Sequence, residues 1–191
     1  MTRPARPVPD LPPGSRLALH ACCAPCAGGI ICDLGDAGIA VTVVWANANL
    51  DDRQEYHWRR DCLERFCAEH AVPWVCLEDD HQAWLSAVRG LEDAPERGQR
   101  CERCFRVRLQ AAAAWARDHN HPLLATTLGI GRHKDLDQVH RAGQAAVATS
   151  PAVRFVAHNW RRGGGTERMQ TVAREAGFYR QQYCGCPFSR Q

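Results

Sequence analysis

Leu17-Ala18-Leu19-His20-Ala21-Cys22-Cys23-Ala24-Pro25-Cys26 is the stretch from which the fold is read. A short apolar run, Leu17–His20, stops at a segment of thiols and proline, and a helical pattern over 26–37 follows. The same alternation continues outward. Further candidate strands are Val41–Ala46, Trp74–Leu77, Leu123–Thr127 and Val153–His158. Candidate helices fall near 53–70, 81–89, 102–119, 134–147 and 166–176. In the fourth helix, Phe105, Leu109, Ala112, Ala113 and Ala116 repeat at helical spacing and form one apolar face. The strands are brief and apolar, as strands covered on both sides are. Such βαβ alternation predicts an α/β chain with a Rossmann-like, mostly parallel sheet of about five strands and helices on both faces. Sites in such sheets lie beyond the C-terminal strand ends. His20 to Cys23, Asn47 to Asp52 and Thr126 to His133 fall there.

The 191 residues suit one domain, expected over 16–191 after a disordered or extended, proline-rich lead at 1–15. Twenty-four Lys and Arg against 21 Asp and Glu leave a net charge of +3, which neither demands nor excludes a nucleic-acid partner. The first sixteen residues hold no apolar run, so no secretory signal is expected there. No stretch approaches the roughly 20 apolar residues of a membrane span. Eleven residues are cysteine. Without an export signal, these imply a reducing cytoplasm, where thiols are more often metal ligands or redox catalysts than structural disulfides.

Cys32, Cys62, Cys67 and Cys76 stand singly within predicted helices or a strand and read as small buried hydrophobes. The other seven form three groups beside loops: Cys22, Cys23 and Cys26; Cys101 and Cys104; Cys184 and Cys186. Cys23/Cys26 and Cys101/Cys104 have the C-x-x-C spacing that lets two thiolates converge on one metal or cluster edge. Cys101 and Cys104 open a helix, whose amides and dipole favour thiolate. Zinc and iron–sulfur both remain open on spacing. Four thiols close a structural zinc site, so three are left for other work. Cys184 and Cys186, separated by one glycine, fit either a labile, redox-active pair or two metal ligands.

No phosphate-binding glycine loop follows the first strand, and Cys-Cys stands where an ATP-pyrophosphatase loop would have Ser-Gly-Gly. Positive charge is local. Arg97, Arg100, Arg103, Arg106 and Arg108 surround the second thiol pair; Arg132, His133 and Lys134 follow the fourth strand; Trp160, Arg161 and Arg162 precede a glycine run. Arginine beside aromatics suits an RNA loop, although solvated helix faces have the same composition. Asn47, Asn49, Asp51, Glu55 and Tyr56 sit at or past the second strand end, where they can bind substrate hydroxyls or donate a proton. Asp51 or Asp52 also suits an N-cap.

Taken in order, several segments resemble the QueH-type epoxyqueuosine reductases. They are Leu19–Cys26; Asn47-Ala48-Asn49-Leu50 with Glu55, Tyr56 and Arg59; Arg100–Phe105 with Arg108 and Leu109; Thr126–Ile130; Asn159–Gly165; and Tyr179–Cys186. The resemblance runs from residue 19 to 189. It implies a HUP-type sheet with an iron–sulfur site at the C-terminal strand ends. The implied reaction reduces epoxyqueuosine to queuosine at the tRNA wobble position, the last step of that modification. Cys22, Cys23, Cys101 and Cys104 would hold a [4Fe-4S] cluster, with a second, mononuclear iron beside it for which Cys26 is a candidate. These four thiols are therefore expected in one pocket. Cys184 and Cys186 would be the redox-active pair, with Tyr183, Asp51 or His20 as the acid. Asn47, Asn49, Arg132, Trp160, Arg161 and Arg162 would meet substrate or tRNA. The implied partners are tRNA with epoxyqueuosine in its anticodon loop and an external electron donor such as ferredoxin or flavodoxin, with no membrane. Ala48, Asp51, Asp52 and Gly131 depart from the usual pattern, on expected substrate loops. An iron–sulfur-dependent tRNA-thiolation enzyme and a zinc-stapled RNA-binding module are the alternatives.

Overall fold

A computed structural model describes residues 8–78 and 80–189. Five strands form one sheet: β1 (Arg16–His20), β2 (Ala40–Trp45), β3 (Trp74–Cys76), β4 (Leu123–Thr126) and β5 (Arg154–Phe155). Their order is β3-β2-β1-β4-β5, and every neighbouring pair is parallel. The helices are α1 (Ala24–Asp36), α2 (Arg53–Glu69), α3 (His81–Ala87), α4 (Gln99–Asp118), α5 (Leu136–Val147) and α6 (Gly165–Glu175). The α/β expectation holds, with most boundaries within a few residues. The largest difference is β5, which pairs only over Arg154 and Phe155 because it is an edge strand registered on Leu123 and Leu124 alone.

Alternation within β1 divides the core. Leu17 and Leu19 join the cluster built with Ile30, Leu34, Leu63, Phe66 and Phe178, on the side of α1, α2 and α6. Ala18 points the other way, with Val44 and Leu124, onto Ala112, Ala113 and Ala116 of α4. The small residues let α4 lie close to the sheet, and α5 packs beside it through Val139, Ala142 and Ala146. Gly143 of α5 meets the Phe155 ring so closely that a Cβ there would lie 2.2 Å from Cζ. Gly143→Ala is therefore expected to cost about 1–3 kcal/mol through overpacking. A urea titration should show a lower midpoint at unchanged slope; an unchanged midpoint would contradict this contact.

The lead at 1–15 reads in sequence as disordered or extended; its described part, 8–15, is held in place, with Val8 and Leu11 packed on the core and the Gly14 amide donating to the Gly38 carbonyl at 2.8 Å. The apolar residues between the prolines supply the burial that composition obscured. Residues 1–7 of that lead lie outside the described residues. Cys76, expected to be buried, is exposed at the end of the edge strand β3. Cys62 and Cys67 are buried and Cys32 is half-buried. No helix among the described residues is long and apolar enough to cross a membrane.

The sheet order places the site. From β1 the chain moves outward to β2 and β3, then returns across β1 to β4 on the other side. The connections after β1 and β4 consequently part in opposite directions and leave a crevice between these strand ends.

Candidate functional site

Cys22 and Cys23 lie in the turn between β1 and α1, at the mouth of that crevice. Pro25 sits in the first turn of α1, where its missing amide donor costs nothing. Cys23 is the N-cap of α1, and Cys26 falls within the first turn, so both thiols stand at the positive end of the helix. The short 3-10 turn after β4 contributes Thr127, whose hydroxyl accepts from the Cys22 amide at 3.2 Å and lies 3.4 Å from the Cys22 Sγ. The Sγ atoms of Cys22, Cys23 and Cys26 all lie within 4.8 Å of one another. Cys22 and Cys23 are 3.8 Å apart, close to the edge of a tetrahedron with metal–sulfur bonds of about 2.3 Å. Hydrogen bonding from Cys23 and Cys26 drives the Cys22 thiol well below its ordinary value. The same crowding drives Cys26 well above its own, as expected when neighbouring thiols compete to ionise.

Cys101 and Cys104 lie in the first two turns of α4, on the opposite wall. Cys101 packs with Cys22 against the group containing Phe105 and Leu128. Cys104 is buried with Cys186, Trp84 and Ala48, and burial pushes its thiol up. One turn further along α4, Arg108 is buried among these groups. Its Nε donates to the Ala46 carbonyl at 3.3 Å, and its Nη2 donates to the Asn47 Oδ1. Burial opposes the guanidinium charge, but Cys104, Cys22 and Cys184 together raise Arg108 above its ordinary value. One cation therefore serves thiols from all three sequence groups. Its spacing, four residues after Cys104, was available in the sequence.

The C-terminal segment closes the third side. Arg59 of α2 donates through Nη1 to the Cys184 carbonyl and through Nη2 to the Tyr183 carbonyl, each at 2.9 Å. Its Nε is held by Glu55 at 2.6 Å, and the other Glu55 oxygen accepts from the Tyr179 hydroxyl at 2.6 Å. Gly185 has φ +94°, and a Cβ there would lie 2.2 Å from Leu50 and 2.9 Å from Arg59. Only glycine passes through this turn. Lys134 donates to the Cys184 Sγ at 3.0 Å, and Gln181 donates through Nε2 to the Cys23 Sγ, also at 3.0 Å. Burial opposes the Lys134 charge, yet the adjoining Cys184 holds it above its ordinary value. Burial pushes Cys186 up to about 12. Cys184 and Cys186 are free thiols. Lys134 is legible in the sequence only as part of a basic cluster and Gln181 only as part of the Tyr179–Cys186 segment; their contacts with Cys184 and Cys23 carry no sequence signal.

These walls enclose a cavity of about 1130 Å³. Cys22, Cys26, Asn49, Tyr183, Cys184 and Lys134 are among the residues that line it; of the four thiols expected in one pocket only Cys22 lines it, and Cys23, Cys101 and Cys104 lie behind the lining. Asn47 also lines it, but its Nδ2 donates to the Ala21 carbonyl at 3.0 Å and its Oδ1 accepts from Arg108. Several expected site residues stand elsewhere. Trp160 is 6 % exposed, packs in the core and donates its ring N–H to the Thr126 carbonyl at 2.9 Å, so its apolar surface won over substrate contact. Arg161 braces the loop after β4, donating to the Gly131 and Lys134 carbonyls at 2.7 Å. Arg132 and Arg162 are exposed and are not among the lining residues, and neither is Asp51. Asp52 is the N-cap of α2. His20 is fully buried, donating to the Ala46 carbonyl at 3.1 Å and accepting from the Thr126 hydroxyl at 2.8 Å. Burial lowers it to about 3, so the ring is neutral and its one N–H is held by the Ala46 carbonyl.

A soft donor set of thiols, with three Sγ atoms already gathered and a buried cation to offset their charge, fits iron–sulfur or zinc rather than a hard cation.

Comparison with known proteins agrees in direction. The family model described as "Epoxyqueuosine reductase QueH" matches residues 17–191. A protein of that name from Histophilus somni is 38 % identical over 185 residues, covering 96 % of this chain and 76 % of the relative. One from Haemophilus influenzae is 37 % identical over 181 residues, covering 94 % and 74 %. Among solved structures, the chain is similar to the U34-tRNA thiolase NcsA from Methanococcus maripaludis with its [4Fe-4S] cluster, at TM-score 0.59 and 10 % identity. That likeness covers 95 % of this chain but only 63 % of the thiolase, and at this identity it speaks for the fold alone.

Proposed function

The chain belongs to the epoxyqueuosine reductase QueH family, and we propose that it carries out that reduction with an iron–sulfur centre held by thiols at and beside its cavity. It is an oxidoreductase of tRNA queuosine modification, and epoxyqueuosine in tRNA is its substrate. The thiolase alternative is not favoured: the β1 turn carries Cys22 and Cys23 where an ATP-pyrophosphatase loop is required.

The observation that carries the cofactor reading is the close triad of Cys22, Cys23 and Cys26, with Cys104 and Cys184 acting together with Cys22 on the buried Arg108. In this reading Cys22, Cys23, Cys101 and Cys104 bind a [4Fe-4S] cluster, and Cys26, within the tight triad, is the ligand nearest to hand for an adjacent iron. Bound there, the cluster would supply electrons one at a time at a potential set by its surroundings. Opening the epoxide to an alkene consumes two electrons and two protons and releases the oxygen as water. Cys184 and Cys186 would store the electron pair as dithiol and release it as disulfide, with an external donor restoring the thiols. Arg59 fixes the backbone of their turn, and Lys134 orients the Cys184 sulfur. Tyr183, which lines the cavity, is the acid best placed to deliver a proton to the departing oxygen.

Metal analysis tests the cofactor reading. Protein purified without oxygen is expected to be brown and to carry roughly four or more irons per chain with matching sulfide and little zinc. A colourless protein with stoichiometric zinc would overturn it in favour of a zinc-stapled module.

A further inference from the structure

Two side-chain carbonyls at the cavity have no hydrogen-bond partner. Asn49 is 1 % exposed and its Oδ1 is unpaired. Gln181 is anchored through its Nε2 on Cys23, and its Oε1 is likewise unpaired and shielded. Both residues line the cavity. Folded proteins leave few shielded carbonyls without a donor, because each was stripped of water to no return. Asn47, two residues before Asn49, is different: its amide is spent on Ala21 and Arg108, so it builds the loop that presents Asn49.

Glu92, Asp93 and Glu96 line the cavity together with Arg59, Arg100, Arg108 and Lys134, so the lining carries charge of both signs. The two unpaired carbonyls can only accept, and what they can hold is a group with N–H or O–H hydrogens.

We propose that Asn49 and Gln181 form a donor-reading subsite that binds hydroxyl or ammonium hydrogens on the substituent of the substrate base. The subsite separates the modified nucleoside from an unmodified one, while phosphate contacts elsewhere treat both alike. This rests on epoxyqueuosine in tRNA being the substrate.

The test compares two tRNAs of one sequence, with epoxyqueuosine or plain guanosine at the wobble position, binding to iron-loaded protein. The wild type is expected to prefer the modified tRNA by about tenfold or more. Asn49→Leu should abolish most of that preference, and Asn49→Asp, which keeps an acceptor, should retain it. If Asn49→Leu does not fold, as judged by its melting temperature, Asn49→Ala makes the same comparison by removing atoms only. An unchanged ratio in the folded Leu or Ala variant, or no preference in the wild type, overturns the subsite. Queuosine formation by the wild type is measured alongside. Turnover with an unchanged ratio refutes only the subsite; no turnover refutes the activity on which it rests.

Discussion

Arg59→Ala is expected to lower the melting temperature by roughly 10 °C and to release the C-terminal turn. The Arg59 and Glu55 side chains are only 4 % and 6 % exposed. Removing one member of such a buried pair typically costs about 3–5 kcal/mol, because the other charge is left unpaired. In a domain of this length each kcal/mol corresponds to roughly 2–4 °C. The loss is not confined to the ion pair. Arg59 is the only side chain seen to clamp both the Tyr183 and Cys184 carbonyls among the described residues, and Glu55 also holds Tyr179. Hydrogen exchange over residues 179–186 should accelerate well before global unfolding. Arg59→Lys should recover part of the stability but not the turn, since an ammonium cannot span two carbonyls and a carboxylate as a planar guanidinium does. A variant with wild-type exchange over this segment would refute the clamp.

Cys22→Ser is expected to abolish turnover, by about 100-fold at least, and to lower the iron content. Replacing outer-shell partners of a metal already costs about 10–100-fold in affinity or activity, and loss of a ligand exceeds that. Cys22 belongs to the triad and bridges the turn after β1 to the segment after β4, with its amide and sulfur both against Thr127. Its thiol ionises more readily than its neighbours, so it would be the first of the three to engage a metal. Cys76→Ser is the matched control. Cys76 is exposed at the sheet edge and is expected to keep wild-type iron and activity. Full iron content in Cys22→Ser would remove this residue from the metal site.

The parts of this molecule that follow local rules were legible. Strand β1 could be read because Leu17 and Leu19 face one core and Ala18 the other, within a short apolar run bounded by thiols. Helix α4 could be read because Phe105, Leu109, Ala112, Ala113 and Ala116 repeat on one face. The closeness of Cys23 and Cys26 could be read because a C-x-x-C spacing at a helix start brings two thiols together. What eluded reading depends on contacts between distant residues. Lys134 meets Cys184 fifty positions away, and Gln181 meets Cys23 across nearly the whole chain. Asn47 and Asn49 look equivalent in sequence; only the position of Arg108 makes one structural and leaves the other open. Trp160 misled in the opposite direction. An aromatic beside two arginines suggests a nucleic-acid surface, but its ring was needed to seal the core against α1 and β4.

One cavity, at the C-terminal edge of this sheet, is proposed to reduce epoxyqueuosine. The measurement that tests this most directly is a turnover assay without oxygen: iron-loaded protein, a low-potential reductant and tRNA carrying epoxyqueuosine, with the nucleosides released and weighed by mass spectrometry. The expected result is a nucleoside lighter by one oxygen atom, formed by the wild type and not by Cys22→Ser. Iron-loaded wild-type protein that leaves epoxyqueuosine intact under strong reductant would contradict the account.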